Sequence, residues 1–190
     1  MWLDRVGNER DDALDITWKN FQLEQVNGKE GPEWKVWELP DHHDARSLVA
    51  AVAGEAALRQ GKEAHQRFHL ALLTARHGSE ERIPLNEDEP IADIAAQVGL
   101  DVARFREDLS DPSLLQKIRD DHTEAVEQHG VVGTPTFLFD NGISVYLKSF
   151  IPPEEQSAAF FEHFVPLMRD MPFVGEMKRP QPPWPKGAVK

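Results

Sequence analysis

Val131-Val132-Gly133-Thr134-Pro135-Thr136-Phe137-Leu138-Phe139-Asp140, followed by Asn141-Gly142-Ile143-Ser144-Val145-Tyr146-Leu147, is the stretch that decides how the rest of the chain is read. Asn-Gly between two apolar, β-prone runs is the strongest short-range hairpin signal. Gly133-Thr134-Pro135 forms a tight entry to the first strand of that hairpin. Pro152-Pro153-Glu154-Glu155 then opens a helix whose core face carries Phe160, Phe161 and Phe164, with Val165 and Met168. The hairpin is therefore followed directly by a helix that can cover it.

Upstream, from about Ala45 to Gly130, the pattern is helical throughout. Leu48, Val52, Ala56 and Leu58 mark one helix, ending before Gly61, and Phe68, Leu72 and Ala75 a second, ending at Gly78. Ile91, Ala95 and Val98 mark a third, stopped by Gly99. Spacing by three and four places each set on one stripe. Asp101 is a candidate cap for a short helix with Val102, Phe105 and Leu109. Asp111-Pro112 reads as N-cap and first-turn proline for a helix with Leu115, Ile118 and His122, closed by Gly130.

Before this block, Leu14-Asp15-Ile16-Thr17-Trp18-Lys19-Asn20-Phe21 alternates apolar and polar residues and reads as a strand. Trp2, Leu3 and Val6 are the last turns of a helix too short to stand alone. Gln25 to Pro40, with Asn27-Gly28 and Gly31-Pro32, reads as an ordered irregular loop, since Trp34 and Trp37 are large enough to require packing. The tail from Met177 to Lys190 is proline-rich and reads as extended or frayed. A hairpin and helix with a strand far upstream indicate an α/β sheet with an inserted helical subdomain.

Composition narrows the function classes. The chain has 190 residues, 40% of them apolar, which suffices for a core. With 33 acidic and 21 basic residues the formal charge is −12, a field that repels phosphate backbones and anionic membranes. Nucleic acid and membrane are thus excluded as expected partners. No apolar run approaches 18 residues and Met1-Trp2-Leu3-Asp4-Arg5 is no signal-peptide opening, so a cytoplasmic protein is expected. There is no cysteine, which removes any disulfide, thiolate nucleophile or thiolate metal site from this chain.

Gly133-Thr134-Pro135-Thr136-Phe137-Leu138-Phe139, entering a strand after a helical insertion, resembles the cis-proline loop of DsbA-type thioredoxin-fold proteins. Phe21-Gln22-Leu23-Glu24-Gln25-Val26-Asn27 with Lys29-Glu30-Gly31-Pro32-Glu33-Trp34 resembles a stretch of the soluble bacterial members. So do Phe68-His69-Leu70-Ala71-Leu72-Leu73 and Gly175-Glu176-Met177-Lys178-Arg179-Pro180. The similarity runs from Trp2 to about Pro180. It implies a thioredoxin-like α/β fold with a large inserted helical subdomain, here without the family's first β-strand. The chain would then divide into residues 1–44 (partial first helix, strand and loop), 45–130 (inserted helices), 131–176 (cis-Pro loop, hairpin and last helix) and 177–190 (tail).

The resemblance also assigns roles. Arbitrary X–Pro bonds in folded proteins are cis only about 5–6% of the time, so Pro135 by itself points to trans; the family implies cis. Gly133, Thr134 and Pro135 become the expected substrate-binding residues, with the Thr134 backbone pairing an extended protein or peptide substrate. The family's Cys-x-x-Cys, at the start of a helix that lowers the attacking thiol's pKa, has no counterpart onto which either cysteine can be carried. Met1-Trp2-Leu3-Asp4 is similar to the helix downstream of that motif, which implies an incomplete chain. The absent strand is central in the family, so its loss would leave the Ile16 strand without a partner. The expected activity is that of a thiol–disulfide oxidoreductase in lineage, inactive in thiol chemistry as this cysteine-free chain, with no catalytic residue of its own. No cofactor is expected. Two alternatives stand: the glutathione-dependent isomerase branch of the same fold, with glutathione as cofactor, and a non-catalytic peptide-binding remnant.

Other polar groupings read as bland. His65 and His69 have metal-compatible i, i+4 spacing, but His65-Gln66-Arg67-Phe68-His69 lacks a glutamate after His65, so the pair reads as solvated or capping. His42-His43 between Asp41 and Asp44 reads as a solvated acidic loop, and no metal is expected. Asp120-Asp121-His122 imitates part of a catalytic relay, yet successive helical residues point about 100° apart, which favours a surface reading.

Overall fold

The computed structural model describes residues 2–10, 14–31, 33–78 and 82–177. Pro32 of the expected Gly31-Pro32 turn and residues 178–190 of the tail lie outside the described residues. Helix α1 (Trp2–Glu9) is followed by α2 (Leu23–Asn27), 3-10 turns at Val36–Glu38 and His42–Asp44, α3 (Arg46–Leu58), α4 (Lys62–His77) and α5 (Asp88–Gln97). Then come α6 (Val102–Leu109), α7 (Pro112–His129), β1 (Thr136–Leu138), β2 (Ser144–Tyr146), a 3-10 turn at Glu154–Gln156 and α8 (Ser157–Asp170). This is the α/β thioredoxin-like plan with a helical insertion, in which the sheet of the described residues has two strands.

The helical insertion forms the main core. α3 packs against α4, α6 and α7, and Val49, Ala53 and Ala57 are buried as fully as Leu48, Val52 and Ala56. A helix enclosed on several sides buries more than one stripe, so the sequence stripe marked only part of its contact surface. Phe68 of α4 and Phe105 of α6 meet at 5.3 Å between ring centroids, beside Ile91, Ala95 and Ile118. Polar chemistry sets the helix ends. Asp101 accepts from the Arg104 N–H at 3.0 Å and Asp111 from the Ser113 N–H at 2.8 Å. Gly130 closes α7 at φ 62°, a left-handed conformation that glycine adopts without a Cβ penalty. Arg59, just past α3, reaches Asp108 at 2.8 Å and Asp111 at 2.7 Å, tying α3 to the α6–α7 junction.

A second, aromatic cluster joins α1, α8 and the hairpin. The Trp2 ring lies 4.9 Å from Phe160, 6.0 Å from Phe164 and 6.1 Å from Phe137. Its Nε1–H donates to the Ser157 carbonyl at 3.1 Å. Thr136 pairs with Tyr146, Phe137 with Val145 and Leu138 with Ser144, antiparallel. Alternation turns Phe137 toward Trp2 and Phe164, and leaves Leu138 and Tyr146 on the other face.

Leu14–Phe21 forms no strand, contrary to its alternating pattern. Ile16 and Trp18 are 40% and 44% exposed. Strands exist by laddering to a neighbour, and none is available to this segment among the described residues. It is held instead by side chains, described below. The described residues between Gln25 and Pro40 include the end of a helical turn, Leu23–Asn27, and a 3-10 turn, Val36–Glu38, that no periodicity announced. The Gln25 amide organises them, donating to the Trp34 carbonyl and accepting from the Val36 N–H, both at 2.9 Å. Trp34 and Trp37 pack against the core, as their size required.

Candidate functional site

The loop between α7 and β1 is shaped by short polar contacts. Val131 N–H closes back on the Ala125 carbonyl at 3.0 Å, turning the chain out of α7. The Ser144 hydroxyl donates to the His129 carbonyl at 2.9 Å, anchoring the helix end to β2. Gly133 is buried beneath the Tyr146 ring, where an added Cβ would stand 3.1 Å from the ring's Cε2. The Thr136 hydroxyl donates to the Gly133 carbonyl at 2.7 Å. The Thr134–Pro135 peptide bond is cis. The Pro135 carbonyl accepts from the Leu147 N–H at 3.0 Å, extending the hairpin register by one bond.

Thr134 and Pro135 are exposed. Among the described residues, neither the N–H nor the carbonyl of Thr134 takes a hydrogen bond. Val132, Leu138 and Tyr146, apolar and 69%, 50% and 46% exposed, belong to the same loop and hairpin. Gly133, Thr134 and Pro135 are thus brought together, with distinct parts: a buried seat, an open backbone and a ring that shapes the turn. No local signal in the chain marks the Tyr146 contribution, which the cross-strand pairing of Thr136 with Tyr146 supplies. Residues 131–136 carry no titratable side chain, and the chain contains no cysteine. As it stands this loop can hold a chain by its backbone but offers no nucleophile or proton carrier.

Asp121 and His122 are the second polar assembly, and the surface reading of them is overturned. They are 2% and 5% exposed. Asp121 accepts from Lys19 Nζ at 3.2 Å, from the Asn20 N–H at 3.2 Å and from Asn20 Nδ2 at 3.0 Å, and also pairs with Lys117. Burial pushes the Asp121 carboxyl up, but the bonds from Lys117, Asn20 and Lys19 together hold it below its ordinary value. Asp120, in contrast, is exposed. These bonds replace the missing ladder in pinning residues 19–22 to α7. Their length in sequence, about a hundred residues, left no local signal.

His65 and His69 are half-buried. Their rings stack at 5.5 Å, and the Trp18 ring covers His69 at 4.7 Å. Burial lowers both, His69 to about 4. Just before the insertion, His43 Nε2 lies 3.0 Å from Asp88 Oδ1 of α5. No helix of the described residues is long and apolar enough to cross a membrane.

Comparison with known proteins yields one family match: the model described as a DSBA-like thioredoxin domain covers residues 3–165. No curated protein matches the chain.

Proposed function

From the premise that the chain belongs to the DSBA-like thioredoxin domain family, we propose that it is a thioredoxin-like protein of the disulfide-oxidoreductase lineage that binds an extended protein or peptide segment and performs no thiol chemistry of its own. The observation that carries this reading is the exposed Thr134 backbone, whose N–H and carbonyl have no hydrogen-bond partner among the described residues. An extended ligand strand satisfies such a pair by β-strand addition, with main-chain bonds giving affinity and side-chain contacts giving preference. Val132, Leu138 and Tyr146 supply exposed apolar surface for the ligand's side chains. Thiol–disulfide exchange requires a thiolate, so any redox turnover by this lineage must draw on cysteines outside these 190 residues.

The test uses the purified chain with a library of extended peptides and, in parallel, glutathione. Peptide binding is expected in wild type and lost in Thr134→Pro, which removes the N–H that pairs with the ligand. Disulfide turnover is expected to be absent. Peptide affinity unchanged in Thr134→Pro, or measurable turnover, overturns the proposal. Saturable glutathione binding without peptide binding moves the reading to the glutathione-dependent branch of the fold.

A further inference from the structure

The Asp41–Asp44 turn has a geometry that its sequence did not announce. Asp41 Oδ1 accepts from the His43 N–H at 2.9 Å and also lies 2.7 Å from His43 Nδ1. The far nitrogen of the same ring, Nε2, lies 3.0 Å from Asp88 Oδ1, on the first turn of α5. His42 does not diverge from its neighbour. The two rings stack at 4.3 Å between centroids with an interplanar angle of 28°. A carboxylate oxygen of Asp41 and one ring nitrogen from each histidine consequently lie within 4.8 Å of one another.

We propose that this turn is a binding site for a borderline divalent transition-metal ion such as Zn2+, with Asp41, His42 and His43 as ligands and Asp88 as the carboxylate that orients His43. Two imidazoles and one carboxylate suit such an ion, whereas Ca2+ and Mg2+ take oxygen-only sets. The ion takes the place of the proton between His43 Nδ1 and Asp41 Oδ1, and that proton leaves to solvent. His43 then keeps its Nε2–H donated to Asp88, the outer-shell arrangement that fixes the tautomer of metal-bound histidines. Metal–ligand bonds of about 2.0–2.2 Å place adjacent tetrahedral ligands roughly 3.3–3.5 Å apart, so the ion draws the three atoms together. Side-chain rotation is available for this, because His42 and His43 are half-buried and Asp41 is exposed. Solvent access at Asp41 leaves the fourth position to water. The bound ion would fasten the turn before α3 to the start of α5, two segments otherwise joined here by the His43–Asp88 bond.

The experiment titrates ZnCl2 into the full chain by calorimetry, comparing wild type with His42→Ala, His43→Ala, Asp88→Asn and the His65→Gln control. A saturable site is expected, weakened at least tenfold in His42→Ala and His43→Ala, about tenfold in Asp88→Asn, and unchanged in His65→Gln. Absence of Zn2+ binding up to millimolar concentration overturns the proposal, as does binding undiminished in His43→Ala. Because a variant could lose its fold, wild type is also treated with diethyl pyrocarbonate with and without Zn2+. Protection of His42 and His43, mapped by mass spectrometry, is expected; their equal modification with and without Zn2+ overturns the proposal.

Discussion

The backbone N–H of Gln22 donates to Nδ1 of His122 at 3.0 Å, joining residues 100 positions apart in a buried setting. Gln22 is 1% exposed, and its side-chain oxygen accepts from the Ser47 hydroxyl at 3.0 Å. The His122 ring packs against Phe21 at 4.9 Å and Trp37 at 5.3 Å. The bond requires a lone pair on Nδ1, which assigns the ring proton to Nε2. Burial lowers the His122 pKa in the same sense, since protonation would set a donor against a donor.

Replacing His122 by Phe keeps a ring in place but leaves the Gln22 N–H buried without an acceptor. The expected loss is about 1–3 kcal/mol of stability, the desolvation penalty of one orphaned backbone donor. Urea denaturation at pH 7 measures it, and a loss below about 0.5 kcal/mol would show that water or a shifted backbone satisfies the group.

Asp121 and its lysines are unequal partners. The carboxylate is buried, while the Lys19 and Lys117 side chains are 47% and 45% exposed. Lys19→Ala or Lys117→Ala is therefore expected to cost under about 1 kcal/mol, as for half-solvated ion pairs. Asp121→Ala leaves the Asn20 N–H without its acceptor, while Asn20 Nδ2 keeps Glu55 at 2.6 Å and Lys19 keeps Glu124 at 3.1 Å, with an expected cost of about 1–3 kcal/mol. Equal effects of the lysine and aspartate substitutions would contradict this assignment.

Acid should weaken the Trp18–His69 contact. Burial first, and the neighbouring His65 second, hold His69 at about 4 against an ordinary 6.5. The folded state thus binds fewer protons than the unfolded chain between these values. This contribution is complete above about pH 6.5 and is lost as pH falls through about 4, with an upper bound of about 3 kcal/mol. His43 works in the opposite direction: its bonds to Asp88 and Asp41 raise its pKa, so its contribution is present in acid and lost as pH rises through the raised value. The His69→Gln variant is expected to flatten the fall in Tm between pH 6.5 and 4.5. A profile identical to wild type would locate the acid sensitivity elsewhere.

Gly133 is seated by Tyr146. A Cβ there meets ring atoms at 3.1 and 3.4 Å, closer than ordinary contact, yet the ring is 46% exposed and can swing outward. Gly133→Ala should cost under about 1 kcal/mol and Gly133→Val about 1–3 kcal/mol. Tyr146→Ala should remove most of the Gly133→Ala penalty in a double-mutant cycle of thermal unfolding, and purely additive effects would count against the contact.

Helix stripes, the Asp101 and Asp111 caps, the Gly130 stop and the Asn141-Gly142 turn were all legible in the chain because each is written within a few residues. Local spacing and capping chemistry need no knowledge of what lies across the molecule. The alternation of Leu14–Phe21 was equally legible and led to a strand that is not there. Periodicity describes which side chains share a face, whereas a strand needs a neighbour to take its backbone bonds.

The sequence by itself determined the helical insertion, the hairpin, the Gly133-Thr134-Pro135 loop and the absence of any thiol. Only the tertiary structure decided that Asp121 and His122 are buried, that Trp18 covers His69, that Tyr146 roofs Gly133 and that Asp88 reaches His43. The Trp18–His69, Gly133–Tyr146 and His43–Asp88 contacts join residues 51, 13 and 45 positions apart. Burial and hydrogen bonding at such range depend on how elements pack, and packing leaves no mark in the local spacing of either partner.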